Sequence, residues 1–414
     1  MCTTELTFTR RGKAGNRVST SRRVIFSLLQ HLQGAGLRLH DPHLGTHFFG
    51  DAQAELQAEI VVHHSRTYRR VLFGGGIAAA ETYMDGEWDT PNLAAVILAL
   101  ATNTAVLDKL ESRLSWVATP LNKLRHALRR NSVRQAKRNI AAHYDLGNDF
   151  YTAFLDRTML YSSGWYAQPE MTLEQAQQAK MRRLCEQLAL SPGDHLLEIG
   201  TGWGAMAEFA AREYGCRVTT TTISQEQYEY SCQRIARAGL SDRVTVLQDD
   251  YRTLSGQYDK LVSIEMIEAV GQQYIPRFFE RCQQLLKPGG RLALQAITIS
   301  EERFEHYAGS VDFIQRYIFP GGFLPAVSLL QKNLAAHHFT PRDLFEIGPD
   351  YARTLQEWRH RFDAAWPQLE NGRFDEHFRR MWLFYLCYCE AGFRAGTIGT
   401  VQLIADRTLA PGSE

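Results

Sequence analysis

The chain has 414 residues, 44% of them hydrophobic, enough for a large core shared between two or three domains. Its 46 Lys and Arg face 45 Asp and Glu, so the overall charge argues for no class of partner, nucleic acid included. Seven scattered cysteines without metal-ligand spacing exclude a disulfide framework and predict a metal-free site in a reducing, cytoplasmic compartment.

Residues 1–23 are basic and polar with little periodicity and read as a flexible, solvated arm without a recognisable signal peptide. Residues 24–120 read as a small α+β domain: a short helix, a hairpin-like stretch over 41–62, and helical segments that include 91–101. The longest apolar run, 93–101, falls short of the roughly 20 residues that span a bilayer, so membrane contact must be peripheral. A basic helical linker follows over 121–140. Within it Lys123, Arg125, Arg129, Arg130, Arg134, Lys137 and Arg138 have no acid among them and alternate with Leu124, Leu128 and Val133. Such a face suits an anionic lipid surface as well as plain solvent.

From residue 141 to about 410 the hydrophobic period alternates. Strands at 195–199, 217–223, 244–248, 258–265 and 291–299 are separated by helices at 205–213, 225–238 and 274–286, with a turn at 287–290. This alternation predicts an α/β, doubly wound, mostly parallel sheet. Ligands of such sheets sit beyond the carboxyl ends of the strands, where Gly200, Thr222, Asp250, Glu268 and Gln295 are expected to converge. The first strand ends in Glu198 and is followed by Gly200, Gly202 and Gly204. That G-x-G-x-G spacing, with the acid before the glycines, departs from the dinucleotide fingerprint and favours S-adenosylmethionine over a nicotinamide cofactor. Residues 300–350 interrupt the alternation with Phe304, Tyr307, Phe313, Tyr317, Phe319 and Phe323, and read as an inserted helical lid or substrate wall.

Six segments then stand in order: HYDLGNDFY (143–151), MLYSSGWY (159–166), EIGTGWG (198–204), TTISQEQ (221–227), YIFPGGFLP (317–325) and GPDY (348–351). Together they resemble the cyclopropane fatty acyl phospholipid synthases, and residues 68–97 resemble the amino-terminal domain of the longer bacterial members. The resemblance implies a Rossmann-like class I methyltransferase domain over 141–410. It also implies transfer of a one-carbon unit from S-adenosylmethionine to the cis double bond of an acyl chain in a membrane phospholipid, by a homodimer associated with the inner face of the membrane. By the same resemblance Tyr161, Ser162, Glu198, Gly200, Gly202, Gly204, Thr222 and Gln227 line the cofactor, with Gln227 on the ribose and Asp250 and Tyr251 beside the adenine. A bicarbonate held by Ser163, Glu268, Gln295, Ile297 and Tyr351 is implied as the base.

The chemistry needs an electrophilic methyl group and a weakly nucleophilic alkene held together in a dry site, and then a base for the cation that results. Proton loss from the new methyl closes a ring, whereas loss from a neighbouring chain carbon leaves a methyl-branched or methylene chain. Three positions depart from the family pattern: Ser163 stands for a cysteine, Gln295 for a histidine, and Ala269 for the histidine after the glutamate. Glu265 adds a second carboxylate where the family more often has a small residue. These departures leave both bicarbonate use and the product open. The rival readings are an amine N-methyltransferase of the coclaurine type and a non-catalytic, cofactor-binding lipid carrier. The aromatic stretch and basic linker speak for an acyl chain under anionic head groups, and Glu268 with Tyr351 speaks for catalysis.

Overall fold

A computed structural model describes residues 19–103, 146–370 and 373–408. The basic linker 121–140 and most of the arm 1–23 lie outside the described residues.

The amino-terminal part opens with α1 (Thr20–Leu29), capped by the Ser19 side chain, which accepts from the Arg22 amide. Three strands follow, β1 (Ala35–Asp41), β2 (Gly45–Gly50) and β3 (Leu56–Val62), then α2 (Arg66–Met84), β4 (Trp88–Asp89) and α3 (Leu93–Ala101). The strands form a four-stranded sheet in the order β2-β1-β3-β4. The hairpin expected over 41–62 starts earlier, since β1 and β2 pair antiparallel from Gly36 opposite Gly50, and β3 returns parallel to β1. Buried Asp41 anchors the layer: it pairs with Arg22 at 3.1 Å and accepts from the Tyr68 hydroxyl at 2.7 Å.

The second part comprises α4 (Asn148–Thr152), α5 (Leu173–Leu188), β5 (His195–Ile199), α6 (Ala205–Tyr214), β6 (Arg217–Thr221), α7 (Gln225–Arg237), β7 (Val244–Leu247) and β8 (Tyr258–Ile264). After them come α8 (Ile275–Leu285), β9 (Leu286–Ile299), α9 (Glu301–Ala308), α10 (Val327–Ala336), β10 (Phe339–Glu346), α11 (Gly348–Leu369), α12 (Glu376–Arg394) and β11 (Ile398–Arg407). Its seven-stranded sheet has the order β10-β11-β9-β8-β5-β6-β7. Strands β5 to β9 pair parallel, and β11 inserts antiparallel between β9 and β10. The order reverses at β5, which pairs with both β6 and β8, and this places the crevice over its carboxyl end.

Two expectations change. The turn expected at 287–290 is taken into β9, whose register against β8 slips between Tyr258 and Lys260. The stretch 300–350 is a wall only in its first half. Its last strand, β10, pairs with β11 over Phe339 to Glu346 and forms the edge of the main sheet.

One hydrophobic core joins the amino-terminal layer to α11 and α12. It contains Leu37, Tyr83 and Trp88 on one side and Trp358, Phe362 and Trp382 on the other, large side chains whose burial stabilises the fold by about 2–3 kcal/mol each. Among the described residues no helix is long and apolar enough to cross a membrane.

Candidate active site

A cavity of 1170 Å³ opens over the carboxyl ends of β5, β6 and β8. It is one continuous space from the glycine loop, past two carboxylates, to an apolar wall that includes Leu72, Ile77, Val96, Ile97 and Leu100 of α2 and α3. The first half of the aromatic stretch adds Tyr307, Phe313, Phe319 and Phe323.

The polar end is built on left-handed backbone, with φ of 103° at Gly200, 53° at Gly202 and 82° at Gly204, conformations that cost other residues about 1–2 kcal/mol. Their surroundings differ. A Cβ on Gly200 would lie 3.2 Å from Met266 and one on Gly204 3.2 Å from Ser231 of α7, whereas one on Gly202 would meet nothing within 4 Å. Gly200 and Gly202 line the cavity; Gly204 caps α6 and lets it pack on α7.

Glu198 is 3% exposed. Burial pushes its carboxyl up to about 8, opposed by a bond from Thr220 and by the charge of Arg234. Thr220 Oγ1 donates to Glu198 at 2.6 Å and lies 2.7 Å from Thr201 Oγ1, so the acid is tied to the glycine loop. An acid held neutral beside a cavity is matched by a ligand carrying an ammonium group, which would restore its charge.

The other side chains also fit S-adenosylmethionine. Gln227 accepts from Thr222 Oγ1 at 2.8 Å, which leaves its amide nitrogen as a donor toward the cavity that it lines. Tyr251 lines it too and packs edge-on against Phe278. Asp250 is at the rim, yet its carboxylate is engaged by Arg252 through bonds of 2.8 and 2.6 Å. Tyr161 and Ser162 close the floor: the Tyr161 hydroxyl lies 2.7 Å from that of Tyr385, and Ser162 Oγ accepts from Lys180 Nζ at 2.7 Å.

Deeper in, Glu265 follows directly on β8 with φ 50°, a conformation that costs a non-glycine residue about 1 kcal/mol or more and persists only where its surroundings hold it. Its Oε1 accepts from the Ser163 amide at 3.0 Å and from Gln295 Nε2 at 2.8 Å, and its Oε2 from the Tyr351 hydroxyl at 2.7 Å. Burial leaves its pKa raised, opposed by Lys180 and by the donors at Gln295, Ser163 and Tyr351. Glu268 has fewer partners. The Ile297 amide donates to its Oε1, but its buried Oε2 has no hydrogen-bond partner. Burial, and then the charge of Glu265, push it up to about 8. Two neighbouring carboxylates in a buried site do not both ionise. Of the two, Glu265 has the three donors and the nearby Lys180 that favour an anion, although burial still holds its pKa above the usual carboxylate range, whereas Glu268 has only the Ile297 amide.

Three of the groups expected to hold a bicarbonate, Ser163, Gln295 and Tyr351, therefore converge on the Glu265 carboxylate, while Glu268 and Ile297 pair with each other. Of the five, Glu268, Ile297 and Tyr351 line the cavity. Ser163 and Gln295 do not reach the crevice as expected; both are fully buried behind Glu265, and the Ser163 hydroxyl donates to the Gly164 carbonyl.

The sequence reading missed Lys180, Gln402 and Arg183. Lys180 was findable, because it falls in the 173, 176, 177, 180, 181, 184 series that faces the sheet from α5, and a lysine on such a stripe needs a partner. Gln402 likewise interrupts an apolar strand.

Known proteins resemble this chain over most of its length. The family model described as mycolic acid cyclopropane synthetase matches residues 131–403. The tuberculostearic acid methyltransferase UfaA1 of Mycobacterium tuberculosis is 42% identical over 81% of this chain and 79% of its own length. The cyclopropane-fatty-acyl-phospholipid synthase of Escherichia coli is 35% identical over 86% of this chain and 89% of its own. Among solved structures, mycolic acid cyclopropane synthase CmaA1 complexed with SAH and CTAB superposes with a TM-score of 0.62 at 32% identity, covering 65% of this chain and 98% of that one.

Proposed function

Because the chain belongs to the mycolic acid cyclopropane synthetase family, and is an S-adenosylmethionine-dependent methyltransferase that modifies acyl chains, we propose that it methylates the cis double bond of an unsaturated chain esterified in a membrane phospholipid, with Glu265 as the base. In this reading the protein's own carboxylate stands in place of bicarbonate, and the product is a methylene or unsaturated methyl-branched chain.

The observation that carries it is the single cavity in which the glycine loop and the apolar wall of α2 and α3 meet at Glu265. Bound S-adenosylmethionine supplies an electrophilic methyl group and accepts the electron pair that the methyl leaves behind. The apolar wall holds the acyl chain and keeps water from the cation formed when the alkene's π electrons make the new carbon–carbon bond. Glu265, ionised and facing that bond, stabilises the cation and takes its proton. The electrons of the broken C–H bond form a new C=C, so a saturated branch needs a separate reductase. Tyr351 and Gln295 hold the carboxylate in place, and the protonated Glu268 leaves the anionic position to Glu265. The 42% identity to a tuberculostearic acid methyltransferase favours the branched product. The 35% identity to a cyclopropane synthase favours a second reading, in which the proton leaves the new methyl and a ring closes. Peripheral association with anionic lipid is part of the proposal and is supported by the basic residues within 122–138.

The test uses labelled S-adenosylmethionine, anionic vesicles of unsaturated phospholipid, and mass spectrometry of the lipid. Wild type should yield labelled lipid with an acyclic C=C, and dialysis against bicarbonate-free buffer should not slow it. Glu265→Gln should lower turnover roughly 100-fold or more with cofactor affinity unchanged. Stimulation by added bicarbonate would remove Glu265 from the role of base, and a ring-containing product would select the second reading.

A further inference from the structure

Behind Glu265 a line of polar side chains crosses the sheet without touching the cavity. Gln295 of β9 and Gln402 of β11 are direct cross-strand partners and are both fully buried. Gln402 Nε2 donates to Gln295 Oε1 at 2.9 Å, and Arg183 Nη1 of α5 donates to Gln402 Oε1 at 2.9 Å. Arg183 is fixed in turn by Asp343 at 2.6 Å and by the Phe345 ring, 4.0 Å below its guanidinium.

The direction of this line follows from its end. A guanidinium offers only donors and does not lose its charge in a protein. Facing Arg183, Gln402 must present its oxygen, so its nitrogen turns to Gln295. Gln295 must then present its oxygen to Gln402, which leaves only N–H groups toward Glu265 and toward the Ser163 carbonyl, 3.4 Å away. The assignment of each amide rests on this chemistry.

We propose that Arg183 and Gln402 are positioning residues for proton abstraction: they lock the polarity of the Gln295 amide so that Glu265 always meets a donor, which favours its anion. The proposal rests on the reading of Glu265 as the base. The other groups that face Glu265 are Lys180 from α5, Tyr351 from α11, the Ser163 amide from the loop before α5, and Glu268 after β8. A substitution at Gln402 leaves all of them in place.

The deciding variant is Gln402→Glu, which keeps the shape and the pair with Arg183 but offers Gln295 only acceptors. The Gln295 amide must then turn round and point its oxygen at Glu265, which favours the protonated acid. Gln402→Met cuts the line without reversing it. Titration of Glu265 is read without substrate, by infrared difference against Glu265→Gln, so it remains a measurement even if no lipid product forms. In that case the functional reading fails and the polarity proposal is still decided. In Gln402→Glu the Glu265 midpoint should rise by about one unit or more, with a smaller rise in Gln402→Met. The acid limb of kcat should move with it, lowering turnover about tenfold on the acid side and recovering as pH rises, while KM for S-adenosylmethionine holds. On a Gln295→Met background, Gln402→Glu should add nothing. A wild-type midpoint in Gln402→Glu would overturn the proposal, as would an equal shift on the Gln295→Met background, which would mean a through-space charge effect. If Gln402→Glu fails to fold, Arg183→Met supplies the same test, because it frees the Gln402 amide; an unmoved Glu265 midpoint there overturns the proposal equally.

Discussion

At the end of β5, one carboxyl ties cofactor affinity to pH. Free Glu198 is held up to about 8 by burial, so it is protonated in the free protein at pH 7. The ammonium of a bound ligand favours its anion and lowers that value, so binding at pH 7 must release a proton. Affinity should therefore rise with pH, by at most about tenfold per unit, and level off above pH 8. Calorimetry with S-adenosylhomocysteine in two buffers of different ionisation enthalpy measures the released proton, and Glu198→Gln should release none. Binding without proton release in wild type would contradict the pairing. Glu265 is held at the same scale by more partners, since its strained φ of 50° and its raised pKa are opposed by three hydrogen bonds and Lys180.

Among the elements, α2 is the one whose irregularity shapes the site. The helix breaks at Gly75, with φ 58° and ψ −144°, a region that only glycine occupies without strain of about 1–3 kcal/mol. The break gives Phe73, Gly74, Gly75 and Gly76 to the cavity wall and leaves Phe73 52% exposed. Gly75→Ala should cost about 1–3 kcal/mol and, by straightening the wall, raise KM for lipid severalfold while leaving cofactor affinity alone. Thermal melting and paired kinetic titrations check this. Equal losses for lipid and cofactor would mean that the break serves the whole cavity and not its acyl arm.

For the whole molecule, the amino-terminal layer and the carboxy-terminal helices act as one packed body. Arg380 of α12 donates to the carbonyls of Tyr83 and Trp88, pairs with Asp89 at 2.7 Å, and lies 4.1 Å over the Tyr83 ring. Glu81 of α2 meets Tyr317 at 2.6 Å and Arg316 at 2.9 Å in the aromatic wall. Arg380→Met keeps the bulk but strands two carbonyls, which should cost about 2–4 kcal/mol and lower the melting midpoint by roughly 2–5 °C. Unfolding should remain a single transition in calorimetry, because the two parts share a core. Two separated transitions would show that the layers fold independently.

The sequence by itself determined what depends on local pattern. The alternating periods specify a doubly wound sheet because side-chain period and burial are set residue by residue. Glu198 with Gly200 and Gly202 marks the cavity end of β5, where only glycine takes those φ values without strain. The ordered segments from 143 to 351 point to the family, and all of them fall within the residues that its model matches, 131–403. Tertiary structure alone decided the rest, because it depends on which distant strands become neighbours. Ser163, Gln295 and Tyr351, expected around a free anion, close on Glu265 once β8, β9 and α11 meet. Gln402 lies 107 positions from Gln295, and no local pattern foretells that β11 will insert beside β9 and set the polarity of its amide. The second half of the stretch 300–350 became part of the sheet for the same reason: β10 takes its place by pairing with β11, a partner that comes later in the chain.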